Sequence, residues 1–175
     1  DLQQLVADIT TSGLLGSAFA CPDMIGGGEF SSFIGKDKLD QDLIVRSAQS
    51  HALMPMMQFS VAPWRVLDSA RLSAVKKAVA EREKFVPLIM RLANAAAATG
   101  EPIVRKMEYD FPNQGFSNCN DQFMLGDSLM VAPMTSKGNT RTVMFPKGTW
   151  QGDDGSKIKG PVKKEIVVPI DRLPW

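Results

Sequence analysis

The sequence predicts a chain of two characters: an α/β half made of two βα units, followed by an all-β half, with the change near residues 100–104. Three observations carry that reading. Up to Ala98, short runs that are apolar at every position alternate with stretches of helical periodicity, the pattern of parallel strands buried beneath helices. After Gly100, prolines and glycines punctuate brief β-prone runs, the pattern of antiparallel sheet. A composition of 44% apolar and 22% charged residues over 175 positions fits one ordinary domain or two small ones folded around apolar cores.

Leu2, Leu5, Val6 and Ile9 recur at helical spacing and predict an opening helix that stops near Thr11-Ser12-Gly13. Leu14 to Cys21 then reads as a buried strand feeding the turn Pro22-Asp23-Met24-Ile25-Gly26-Gly27-Gly28, which no helix or central strand tolerates. Asp40 to Leu53 predicts a second helix with Leu43, Ile44, Ala48 and Ala52 along one face, and Met54 to Val61 a second strand. Helical periodicity resumes from Leu67 to Ala98, where Pro87 is expected to kink or split the segment and Gly100 to cap it. In the second half, Phe123-Met124-Leu125, Leu129-Met130-Val131, Thr142–Phe145 and Glu165–Val168 read as antiparallel strands.

Two βα units leave strand edges and helix faces without partners. Their natural home is the end of a (β/α)8 barrel, whose active site is built from loops at the carboxyl ends of the strands. Residues 1–100 are therefore expected to be the last two βα units of such a TIM barrel, and residues 101–175 an antiparallel β-sandwich-like domain, itself incomplete. The chain begins Asp1-Leu2-Gln3-Gln4, without methionine or the basic start of a signal peptide, and is expected to be an excerpt or a processed piece.

Several function classes are disfavoured. Net charge is +1, and residues 1–100 carry ten side chains of each sign, so no field draws in nucleic acid or an anionic membrane. No apolar run approaches the length of a membrane span. The two cysteines, Cys21 and Cys119, fall in no metal-binding or redox spacing and read as plain thiols. A single histidine, His51, is too little for a histidine metal centre or a Ser-His-Asp triad, and it reads as a surface or packing residue of its helix.

Against that background several motifs, in order, resemble glycoside hydrolase family 31. Pro22-Asp23-Met24-Ile25-Gly26-Gly27-Gly28 is similar to the family's G-x-D-I-G-G-F loop, and Arg46, Gln49, Ala52 and Pro55 to its R-W-x-Q-x-G-A-F-x-P stretch. Glu83 to Ile89 stands where the family has a helix R-Y-x-L-L-P-Y-I-Y, and Thr99-Gly100-Glu101-Pro102-Ile103-Val104-Arg105 resembles T-G-x-P-I-M-R. Gln122 to Pro133 is nearly Q-F-M-x-G-D-x-L-L-V-A-P, and Leu173-Pro174 falls where the β-domain has V/L-P.

The resemblance implies a retaining exo-α-glycosidase acting on an α-linked glucose, xylose or galactose, with a small carbohydrate as substrate and no metal or organic cofactor. Retention needs two carboxylates close together across the sugar. In the family these come from earlier strands, so no catalytic residue is expected within the chain, which needs the rest of the barrel and is expected to be inert alone. What the chain contributes is part of the sugar pocket.

Asp23 reads either as the family's sugar-binding loop aspartate or as an Asx-turn that shapes the loop; the resemblance favours the first. Gln58 and Ser60 share one face of an extended segment, where they either point toward sugar or merely end the strand. Most family members have a sugar-contacting histidine where Ser60 stands, a departure that puts the usual α-glucoside substrate in question. Trp64 is either a stacking platform for a sugar ring or a cover for the strand end. Asp127 reads as a turn residue, and Gln151-Gly152-Asp153-Asp154-Gly155 as a hairpin, since it lacks the acidic spacing of a calcium loop. The rival reading is a non-catalytic carbohydrate-binding or scaffold protein whose β-half is the functional module.

Overall fold

A computed structural model describes residues 1–27 and 39–175; Gly28, the last glycine of the predicted loop, lies outside the described residues. The chain opens with helix α1 (Leu2–Leu14), capped by the Asp1 carboxylate, which accepts from the Gln3 amide at 2.9 Å. Val6, Ile9 and Thr10 form its buried stripe.

No strand follows over Leu14–Cys21, contrary to expectation: α1 runs through Leu14, and Leu15 is 81% exposed. Apolar composition does not make a parallel strand without a ladder on both sides to take its amides and carbonyls. The Met54–Val61 run behaves likewise. What exists of the expected parallel sheet among the described residues is one bridge, Ile25 against Phe59.

Helix α2 (Gln41–Ala52) is bounded as the sequence predicts, with Asp40 at its N-cap accepting from the Leu43 amide at 3.1 Å. Every residue from Ile44 to Ala52 is buried, whereas Leu43 is 53% exposed and leaves the predicted face. After the single turn α3 (Pro63–Val66) comes α4 (Ser69–Thr99), a continuous helix of 31 residues through Pro87, which neither splits nor ends it. An internal proline costs about 3 kcal/mol in a helix. Burial of Ala74, Val75 and Ala78 before it and Ile89 and Ala96 after it offsets that cost by fixing both arms. Gly100 stops the helix with φ +78°, a left-handed conformation that glycine adopts without a Cβ penalty.

The second half is antiparallel throughout its described strands. β1 (Val104–Lys106), β2 (Phe123–Leu125) and β3 (Leu129–Val131) form a sheet in that order, with the turn α5 (Met107–Asp110) after β1. Phe123 pairs with both Lys106 and Val131. β4 (Thr140–Gln151) and β5 (Lys157–Val167) form a long hairpin with an irregularity between Phe145 and Gly148, the kind of site where a strand accommodates Pro146. Asp127 lies in the β2–β3 turn, and residues 152–156 close the long hairpin, both as read from sequence.

The main core draws on both halves. Val6 and Ile9 of α1, Leu53 and Met54 after α2, and Ile89 of α4 pack with Ile103, Phe123, Leu125 and Leu173. A second cluster joins Ile25 to Ile44, Val45 and Ala48 of α2 and Ala74 and Val75 of α4. The third fills the β-half around Met107, Phe116, Met124 and Val143. Methionines serve as core filler at Met54, Met124 and Met130, but Met56 and Met90 are exposed.

Buried guanidinium groups tie irregular backbone to helices. Arg46 of α2 donates to the carbonyls of Val168 at 2.7 Å, Pro169 at 3.1 Å and Gly138 at 3.2 Å, and Gln49 donates to Ile170 O at 2.7 Å. Arg82 of α4 donates to Met54 O at 2.7 Å, Ala52 O at 3.0 Å and Pro55 O at 3.0 Å, which satisfies the carboxyl end of α2.

Arg46→Met removes the donors from three carbonyls and is expected to cost about 3 kcal/mol in urea unfolding, with Arg46→Lys recovering only part because an ammonium lacks the planar fork. Pro87→Ala restores an amide to the helix and is expected to raise stability by about 2 kcal/mol in the same assay, the gain reduced by the freer unfolded chain.

Candidate functional site

The bridge between Ile25 and Phe59 builds the site by setting two loops side by side. Ile25 N donates to Gln58 O at 2.8 Å, and Ile25 O accepts from Ser60 N at 3.0 Å and from Ser60 Oγ at 3.1 Å. Ile25 is fully buried against α2, so these bonds hold the Asp23 loop and the Gln58–Ser60 segment in register. Pro22 on the other side of Asp23 is also buried, while Asp23 itself is exposed.

Asp23 Oδ1 accepts from the Met24 amide at 2.8 Å, and Gly27 N donates to Met24 O at 2.8 Å, closing a tight turn. A Cβ on Gly27 would lie 2.9 Å from Met24 O and 3.2 Å from Asp23 Oδ2, so this turn requires glycine beside the carboxylate. Beneath the loop, His51 is 1% exposed, with Nε2 2.5 Å from the Asp23 carbonyl and Nδ1 2.7 Å from Ser47 O. Asp23, Gly26, Gly27 and His51 line a groove of about 430 Å³ together with Asp8 and Asp40. Asp40 is paired with Lys137 at 3.0 Å, and that contact, with the Leu43 amide, holds its carboxyl below the usual carboxylate range.

Gln58 and Ser60 are exposed and Phe59 between them is half-buried, the alternation read from the sequence. The Ser60 hydroxyl spends its one proton on Ile25 O, so toward a ligand it offers acceptor lone pairs. Trp64, 73% exposed on α3, lines a separate apolar groove of about 520 Å³ with Phe59, Ser60 and residues of α4. The structure thus brings Asp23, Gln58 and Ser60 onto adjoining segments, with Asp23 lining one groove and Ser60 and Trp64 another.

Sequence reading missed the contact of His51 with the Asp23 loop. A ring nitrogen facing a main-chain carbonyl 28 residues away leaves no residue signature at the accepting position. The thiols differ in reactivity: Cys21 is exposed, whereas burial, aided by the nearby Asp121 carboxylate, pushes the Cys119 thiol up to about 11. Asp153 and Asp154 are engaged by Arg172 at 2.7 and 3.0 Å.

Comparison with known proteins agrees with this architecture. Residues 100–175 match the family model of the glycosyl hydrolase family 31 C-terminal domain. The chain is 36% identical over 169 residues to the myogenesis-regulating glycosidase of Mus musculus, covering 92% of this chain and 24% of that protein. It is 35% identical over 102 residues to an alpha-glucosidase of Saccharolobus solfataricus, covering 57% of this chain and 14% of that protein. Among solved structures, the family 31 dextranase of Flavobacterium johnsoniae, captured as a variant with isomaltotriose, superposes with a TM-score of 0.86 at 25% identity, over 99% of this chain and 22% of that one. The chain spans about a quarter or less of the length of these relatives.

The antiparallel β-domain and the helices before it, with relatives of these names, put the chain in the class of glycoside hydrolase polypeptides, of whose length it spans a part. It belongs to glycoside hydrolase family 31.

At pH 8, a maleimide is expected to label Cys21 within minutes and Cys119 only after unfolding, as read by mass spectrometry, because thiolate is the reactive form and Cys119 holds its proton.

Proposed function

We propose that the chain supplies one flank of the sugar pocket of a retaining exo-α-glycosidase. In this reading residues 1–100 are the last two βα units of a (β/α)8 barrel and residues 101–175 the adjoining β-domain. The observation that carries the proposal is the parallel bridge Ile25–Phe59, which sets the Asp23 loop beside Gln58 and Ser60 as neighbouring strand ends do at the mouth of a barrel. The names of the relatives, two of which are a glycosidase and an alpha-glucosidase, supply the reaction class.

The division of labour follows from the chemistry. Retention uses a nucleophilic carboxylate and an acid/base carboxyl about 5–5.5 Å apart, one on each side of the scissile bond. Both come from the remainder of the longer enzyme. The groups in this chain hold the sugar while those two act.

Asp23 accepts hydrogen bonds from sugar hydroxyls, a charge-assisted contact that orients the ring. Gln58 has both a donor and an acceptor, and Ser60, its proton already committed, accepts. Trp64 gives a flat apolar face to a further sugar unit leaving the pocket. A serine in place of the family's more usual histidine removes a ring from the hydroxyl-binding wall, which shifts the preferred sugar away from plain α-glucosides.

In the full-length polypeptide, Asp23→Asn is expected to raise KM for an aryl α-glycoside between about tenfold and a hundredfold. Proton NMR of the first product is expected to show the α-anomer. Inversion at the anomeric carbon overturns the retaining assignment, and tight binding of mono- or disaccharides to isolated residues 101–175 in calorimetry would move the function to the β-half.

A further inference from the structure

We infer that His51 is a positioning residue: from helix α2 its ring holds the Asp23 carbonyl and thereby sets the direction in which the Asp23 carboxylate meets the sugar. The inference rests on the reading of Asp23 as a sugar ligand and goes beyond it by naming the group that aims it.

The Asp23 loop has little ladder to order it. Downstream of the aspartate, Ile25 is fixed through its amide to Gln58 O and through its carbonyl to Ser60. Upstream, the Asp23 carbonyl meets His51 Nε2 at 2.5 Å. The Asp23–Met24 peptide plane is held at its carbonyl by His51 and donates through the Met24 amide to Asp23 Oδ1 at 2.8 Å, while Ile25 anchors the next plane along. Carboxylate orientation therefore follows the peptide plane, and the plane follows the ring.

The ring is itself rigid. His51 is 1% exposed and its helix is buried from Ile44 to Ala52; a neutral ring has one N–H, so donation from Nε2 to the Asp23 carbonyl leaves Nδ1, 2.7 Å from Ser47 O, without a proton to give, and it is burial that holds the ring. It lines the same groove as Asp23. Both ring nitrogens face main-chain carbonyls, so its part is to fix geometry, a role to which sugar binding at a preorganised site is sensitive.

Two amide variants separate this from plain packing. Glutamine can present an N–H where Nε2 stands, while asparagine reaches only the Nδ1 position. In the full-length polypeptide assayed with an aryl α-glycoside, His51→Gln is expected to keep KM within about twofold and His51→Asn to raise it about tenfold with kcat changed far less. Combined with Asp23→Asn, His51→Asn is expected to add no further rise, since the ring acts through that carboxylate.

Equal KM in both His51 variants and the parent, with Asp23→Asn still raising it, overturns the inference and leaves the Asp23 reading intact. An unchanged KM in Asp23→Asn overturns both. Should His51→Asn fail to fold, nitrogen NMR of histidine-labelled parent protein decides instead: a proton on Nε2 is expected, and its absence there overturns the inference.

Discussion

The buried guanidinium of Arg46 is the contact on which the site's geometry depends. It reaches out of α2 to carbonyls at Gly138, Val168 and Pro169, more than ninety positions along the chain, and also donates to Gln49 Oε1 at 3.0 Å. Burial lowers its pKa, with Asp42 and Asp171 opposing, yet arginine stays charged across any working pH. Burying a cation costs several kcal/mol, and hydrogen bonds to a charged group contribute about 1.5–3 kcal/mol each, so four of them offset the desolvation only if all are made. Such a contact tolerates little rotation of α2. Helix α2 carries Ile44, Val45 and Ala48, against which Ile25 packs, and it carries His51, so the Asp23 loop inherits its position from a contact made to the β-half.

The same device recurs where the chain is irregular. Arg82 gathers the carbonyls of Ala52, Met54 and Pro55 as α2 ends, and buried Arg141 donates to the carbonyls of Asp121 and Pro133 with its charge balanced by the Asp121 carboxylate at 3.0 Å. Carbonyls at these points have no helix or ladder partner, and leaving one buried without a donor costs about 1–3 kcal/mol. Arginine answers several at once because its fork of donors is planar and long-armed. Apolar packing supplies the bulk of the core, and the arginines determine how loops leave it.

What the sequence made legible divides along the same line. Helix α2 was readable to the residue because its signals are local: an Asp40 cap, a buried stripe, and Leu53 as the helix closes. The turn of the long hairpin was readable from its Asp-Gly signal, whereas its strands, read as Thr142–Phe145 and Glu165–Val168, extend over Thr140–Gln151 and Lys157–Val167. In place of the strands expected over Leu14–Cys21 and Met54–Val61 the described residues carry the Ile25–Phe59 bridge, because an apolar run says what a segment buries and nothing about which neighbours will take its hydrogen bonds. The split expected at Pro87 does not occur because tertiary contacts on both arms outweigh the local propensity. β1 escaped notice because Arg105 and Lys106 look like surface residues until β2 pairs with them. Asp23, Gln58 and Ser60 stood out through the resemblance to family 31 motifs, while the contact of His51 is with a main-chain carbonyl, which no motif marks.

A loop held by a sheet ladder and a loop held by side chains differ in what can disturb them. Of the described segment from Leu15 to Gly27, a single residue, Ile25, is bridged to another strand-like stretch. The remaining order around Asp23 comes from the turn at Gly27, the ring of His51 and the hydroxyl of Ser60. Each of these is one hydrogen bond, worth about 1 kcal/mol net, against a backbone entropy of about 1–2 kcal/mol per fixed residue. Burial of Pro22 and Ile25 adds to these bonds, and on the proposed reading a ligand bridging Asp23 to the Gln58–Ser60 segment adds hydrogen bonds of the same size as those already present. On the proposed reading of Asp23, sugar binding and loop order are coupled, with α2, fixed by Arg46, as the frame for both.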